Sequence, residues 1–142
     1  MVEFILSIRP NFQFINCIHP RSVVGSDVRL GVGNVVMANT VVNSGTQIGN
    51  HAIINTSASV DHDNLLEDFS SLAPGVTLGG DVRIGTFSVV SIGATVIHGR
   101  RIGEGALVGA GACVIRDVGD LQVVYGVPAI FKRNREISEK YL

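Results

Sequence analysis

Stepping by six from Ile18, the chain carries Val24, Leu30, Val36, Val42, Ile48, Ile54, Val60, Leu66, Leu72, Leu78, Ile84, Val90, Val96, Ile102, Val108 and Val114. All seventeen positions are Val, Ile or Leu, and no insertion breaks the count. The next position is often glycine (Gly25, Gly31, Gly49, Gly79, Gly85, Gly103, Gly109), and the fifth of each hexad is mostly small, as at Ser22, Thr40, Ala58, Ser88 and Ala106. A helix needs a period of 3.6 and an ordinary hairpin a period of 2 with turn dipeptides, so neither accounts for a strict six. One apolar residue, one turn-permitting residue and one small residue per hexad predict short flat strands joined by tight corners. Such a chain winds as a parallel β-helix with coils stacked ~4.8 Å apart.

The repeat divides the chain into three stretches. Residues 1–17 form an apolar lead-in (Phe4, Ile5, Leu6, Ile8, Phe12, Phe14, Ile15), expected to cap the open first coil. Residues 18–118 are the repeat. Residues 119–142 form an exit loop followed by a segment with apolar residues at Phe131, Ile137, Tyr141 and Leu142, expected as a short helix over the last coil.

The repeat also explains an otherwise odd composition, with 17 glycines and no tryptophan. Charged residues make up only 16% and net charge is -1, which removes a global field for nucleic acid or an anionic membrane surface. Cys17 and Cys113 have no metal-ligand or CxxC spacing and are expected as small core thiols of a reducing compartment, a disulfide between them staying open. With Glu3 near the start, no secretory leader and no run approaching ~20 apolar residues, the expectation is a cytoplasmic protein without membrane insertion.

Chemistry concentrates at Val60-Asp61-His62-Asp63-Asn64. A neutral imidazole takes a proton near neutral pH, and a neighbouring carboxylate fixes its tautomer and raises its basicity. Taken alone, Asp-His-Asp also reads as a polar corner of the repeat. No cysteine or serine has a histidine at a spacing that argues for a covalent intermediate.

The hexad pattern resembles the hexapeptide-repeat acyltransferases. The segments CIHPRSVVG, IINTSASVDHDNLLEDFSSLAPGVTLGGDVRIG, GALVGAGACVIRDV and VVYGVPA are similar to the branch of sialic acid O-acetyltransferases and sugar-nucleotide 4-amine N-acetyltransferases. The resemblance covers about residues 18–132. It implies an all-β fold, a left-handed parallel β-helix with eighteen residues per coil, and a homotrimer with active sites between subunits. Members of the branch usually carry a nucleotide-binding domain before the repeat, and residues 1–17 are too few to form one.

The implied activity is acetyl transfer from acetyl-CoA to an amine or hydroxyl of a sugar, in surface glycan biosynthesis. His62 would be the general base and Asp63 its orienting acid, with Asp61 competing for that role. At eighteen residues per coil, Ser44, His62, Gly80, His98 and Arg116 share one corner, Gly80 about 5 Å from His62 along the axis. The Gly80 N–H is then expected to stabilise the oxyanion, or the glycine serves the turn alone. Asn55 resembles an acceptor-side residue, and its other reading is a corner bonded to its own backbone. Ser71 stands where relatives often have a histidine contacting the donor; half a coil from His62, it reaches a site only across a subunit boundary. Ile92, Gly93, Ala94, Ala110, Gly111 and Ala112 match the groove for the pantetheine arm, and Val127 and Pro128 flank the nucleotide end. Lys132, with Arg133 and Arg135, is placed for its phosphates. His98, where relatives commonly have proline, is expected about 10 Å from His62. His19 reads as structural and His51 as a solvated corner. Two rivals are a non-catalytic repeat scaffold and a zinc carbonic anhydrase on the same helix, which needs three converging histidines.

Overall fold

The computed structural model describes residues 1–136 together with 138 and 139. Helix α1 (Val2–Ile8) precedes seventeen strands of two residues each, from β1 (Cys17–Ile18) to β17 (Cys113–Val114). Two longer strands follow, β18 (Gln122–Tyr125) and β19 (Ile130–Asn134). Each of the seventeen short strands ends on an aliphatic residue of the six-residue series.

Strands one coil apart pair in parallel at an offset of eighteen residues, as Cys17 with Val35, Ser71 with Val89 and Thr95 with Cys113. Three sheets of eight, six and five strands result, one for each wall of the coil. Successive side chains on a strand point to opposite faces, so the first residue of each pair looks outward and the second inward. From Val36 to Val114 every inward aliphatic is at most 3% exposed. The fifth hexad residue also turns inward, where Ala52, Ala58, Ala94, Ala106 and Ala112 fill the space beside a corner that a larger chain would overfill. Outward position explains the cysteines: Cys17 is exposed and Cys113 half-buried, so neither is the core thiol expected, and both are free.

Corners take four residues, and from Gly33 to Gly111 the third has a positive φ. Glycine occupies it at Gly75, Gly93 and Gly111, but Phe69 and Phe87 adopt φ 58 as well. Large residues avoid that region, and here their rings stack at 4.9 Å. The stack continues through His51 (5.1 Å from Phe69) to Phe14 (4.7 Å) and Phe12. His51 is therefore a rung of an aromatic ladder rather than a solvated corner. The lead-in docks along this edge, while α1 buries none of its residues and Ile18 on the first coil stays 46% exposed.

The end of the chain corrects one expectation. The pairing offset falls to sixteen residues at Ile102 with Val118 and Leu107 with Val123, which ends the regular coil. β18 joins the first sheet in parallel, and β19 returns antiparallel along it with a bulge at Val123/Val124. Ile130–Asn134 is thus a strand and not the start of a helix. β18 ends the sheet with unpaired N–H and C=O groups, which a strand satisfies and a helix would leave open. Ile137, Tyr141 and Leu142 lie outside the described residues, and α1 is the one helix among those described.

Candidate active site

The corner Asp61-His62-Asp63-Asn64 is held from beneath by its fourth residue. Asn64 is 1% exposed; its Nδ2 donates to Asp61 O (2.6 Å), its Oδ1 accepts from Val82 N (2.7 Å), and its N–H donates to Thr46 Oγ1 (3.3 Å). Three coils are tied together at this point, and an unmet group here would cost about 1–3 kcal/mol. The small-residue position is where Asn64 stands, and Asn34 does the same further down, its Nδ2 donating to Gly49 O and its Oδ1 accepting from Ala52 N. An amide at a position mostly kept small or apolar was the available signal.

With the backbone held, His62 projects outward and its Nδ1 lies 2.9 Å from Asp63 Oδ2. Asp63 sits at φ 58, a conformation aspartate tolerates better than most residues, and its N–H donates to Ser44 O. Asp61 does not compete for the ring: its Oδ1 accepts from Asn43 Nδ2 (3.0 Å) and from the His62 N–H (2.9 Å). The Asp63 hydrogen bond raises the pKa of His62 above its ordinary value against some desolvation, and the charges of Asp61, Asp63 and Asp81 add to the rise. Asn43 and the His62 N–H lower the pKa of Asp61. Asp63 thus holds the proton on Nδ1 and leaves Nε2 as the basic nitrogen.

Two glycines bracket this pair, each one coil away. A Cβ on Gly45 would collide with Asp63 Oδ1, and a Cβ on Gly80 would lie 2.6 Å from both Cε1 and Nε2 of His62. Nε2 therefore faces bare backbone, and the Gly80 N–H donates to no group among the described residues. The missing side chain at Gly80 also lets His98 approach: its ring centroid is 6.0 Å from that of His62, not the 10 Å that two stacked coils predict. Among the described residues no three His, Cys, Asp or Glu side chains gather as a metal-ligand set.

The remaining residues separate into three groups. Asn55, Ser71, Ile92 and Ala110 line one groove of about 430 Å³ with Tyr125 at its edge, and His62 is not part of it. The Asn55 Oδ1 accepts from Thr56 N, the local corner bond. Gly93 and Gly111, at φ 65 and 64, border open space where an added Cβ would meet nothing. Ala94 and Ala112 depart from expectation, at 0% and 1% exposed, with their amides donating to Ser91 O and Gly109 O. Their methyls fill the core, so neither presents a side chain to a ligand. At the exit, Val127 is exposed and joined to Pro128 by a cis peptide, and Lys132 is exposed on β19. Arg133 is paired with Glu139 (2.5 Å), and Arg135 is largely buried, which takes both out of the expected phosphate set.

No family model matches the chain, and no curated sequence does. Solved structures do. A histidine-to-alanine variant of GDP-perosamine N-acetyltransferase from Caulobacter crescentus, in complex with CoA and GDP-perosamine, superposes with a TM-score of 0.90 at 41% identity over 94% of this chain. The acetyltransferase domain of PglB from Neisseria gonorrhoeae, in complex with acetyl coenzyme A, gives 0.88 at 37% identity over 92%. This chain spans 64% and 63% of the length of those two proteins. AntD, an N-acyltransferase from Bacillus cereus, shares the fold (TM-score 0.80) at 15% identity. With an unbroken hexad series and a three-walled parallel coil, the chain is a hexapeptide-repeat β-helix that is similar along nearly its whole length to part of these acetyltransferases.

Proposed function

We propose that the protein transfers an acetyl group from acetyl-CoA to the amine of a nucleotide-linked sugar, in a pathway of glycan biosynthesis. The observation that carries this is the His62 ring, fixed by Asp63 at Nδ1 and facing the bare Gly80 backbone with Nε2. The similar Caulobacter protein, solved with CoA and GDP-perosamine, supports an amine on a sugar nucleotide as the acceptor.

The amine nitrogen attacks the thioester carbon, and His62 Nε2 takes the proton the nitrogen sheds. The Gly80 N–H meets the oxygen as it gains charge, a donor that needs no reorganisation. The carbon–sulfur bond then breaks directly, with no acyl-enzyme. Ser71, Asn55 and the Ile92–Ala110 groove lie on another wall from His62. They complete a site only when a second subunit brings that groove to the His62 corner, and we place the pantetheine arm there, running toward the C-terminal coils past Gly93 and Gly111. Val127, Pro128 and Lys132 then take the nucleotide end. A reaction that uses acetyl-CoA and a sugar nucleotide is consistent with a cytoplasmic protein.

Release of free thiol from acetyl-CoA tests this, with GDP-perosamine and other nucleotide-linked amino sugars as acceptors. His62→Ala is expected to lower kcat by about 100-fold or more. Gly80→Ala, whose methyl must push the imidazole aside, is expected to act the same way without unfolding the protein. If no acceptor raises thiol release above the His62→Ala rate, the reading fails.

A further inference from the structure

The corner column continues past the oxyanion donor to a second imidazole that the transfer reaction above leaves unused. His98 stands two coils from His62, yet their ring centroids are 6.0 Å apart at a tilt of 48°, because Gly80 between them has no side chain. The two rings differ chemically. His62 carries Asp63 on Nδ1, whereas the His98 ring has no hydrogen-bonded carboxylate among the described residues. Around His62 the charged groups are Asp61, Asp63 and Asp81. Around His98 they are Asp61, whose carboxylate also feels the His98 charge, Arg100, whose Nε donates to the His98 carbonyl and whose Nη1 lies 3.6 Å from Asp117, and, by register, Arg116 one coil further on.

Order along the column assigns positions to the reacting atoms. His62 faces the acceptor nitrogen, Gly80 the carbonyl oxygen, and the donor arm leaves toward the C-terminal coils. The sulfur, bonded to the acyl carbon on the donor side, falls beyond Gly80, where His98 stands. His62 is poorly placed to serve it: Nδ1 is bound by Asp63, and its one free nitrogen is turned to the amine. We propose that His98 is a second catalytic residue, the acid that protonates the departing thiolate of coenzyme A. This rests on the acetyl-transfer reading.

Atoms and protons balance across one turnover. The nitrogen–carbon bond forms and the nitrogen gives one proton to His62. The carbon–sulfur bond breaks, its electron pair stays on sulfur, and sulfur takes a proton from the His98 imidazolium. His62 is left protonated and His98 neutral, and passage of one proton between the adjacent rings through a water restores both. Without such an acid the leaving group departs as a bare thiolate.

The test compares wild type with His98→Gln on acetyl-CoA and GDP-perosamine. Wild type is expected to show a bell-shaped pH profile of kcat. The variant is expected to lose the high-pH limb and about 10–100-fold in kcat, with the KM for acetyl-CoA within about twofold. A variant with unchanged kcat and both limbs overturns the proposal. Imidazole NMR titration of the free protein separates this from failure of the acetyl-transfer reading. A relay needs the two rings to sense each other's charge across 6.0 Å, so the His62 titration curve is expected to differ between wild type and His98→Gln. An identical His62 curve in the two proteins removes the relay whether or not thiol release is seen.

Discussion

At the scale of single residues, the protein sets the protonation of one imidazole by what it places on either side of it. Asp63 supplies the largest upward shift on His62, and a base must be neutral to accept a proton. Under the proposed reaction, transfer is therefore expected to rise with pH through a value above the ordinary histidine value of about 6.5. Asp63→Asn removes the largest cause, so the low-pH limb of kcat/KM should move to lower pH while the maximal rate falls, because Nδ1 loses the acceptor that fixes the tautomer. A limb that stays in place would show that Asp63 does not govern the base. The Asp-His-Asp cluster was legible as a string of letters; which acid serves the ring was not. That choice follows from Asn43, eighteen residues before Asp61, which draws the Asp61 carboxylate away. His98 was legible only as a stacked position, because side-chain lean across a glycine is invisible to a count of coils.

Corners, not strands, carry the specificity of the elements. A two-residue strand has almost no independent stability, and its pairing offset is set by the corners on either side. Asn64 is the clearest case, since its side chain closes the corner that presents His62 and also meets Val82 N in the next coil. Asn64→Ala should destabilise the fold by about 1–3 kcal/mol in urea unfolding, by stranding Val82 N while Asp61 O keeps the Thr46 hydroxyl, and should lower transfer as well by loosening the corner that presents His62. Full stability in that variant would show that water replaces the amide. The same view explains the ends: where the corners shorten, the offset drops from eighteen to sixteen and the coil gives way to the β18–β19 pair.

For the molecule as a whole, the outward faces hold a supply of apolar groups that one chain does not cover. Ile53, Ile92, Ile97, Ile115 and Val127 are each at least 40% exposed. The groove with Ser71 lies on a different wall from the His62 corner. We expect three chains to associate so that each corner meets a neighbour's groove; sedimentation or mass measurement at micromolar concentration should give three times the chain mass. A monomer retaining full transfer activity would remove the shared site. No helix among the described residues is long and apolar enough to cross a membrane. The sequence by itself determined the coil, its core rungs from Val36 to Val114, and the column holding His62, Gly80 and His98. Those follow from periodicity, because a strict six permits one stacking. Tertiary structure alone decided which carboxylate holds His62, that His98 approaches it, that Ala94 and Ala112 face the core, and that Ile130–Asn134 is a strand. Each of these depends on where a side chain leans or which edge is left unpaired, and residues eighteen or more apart in the chain settle it.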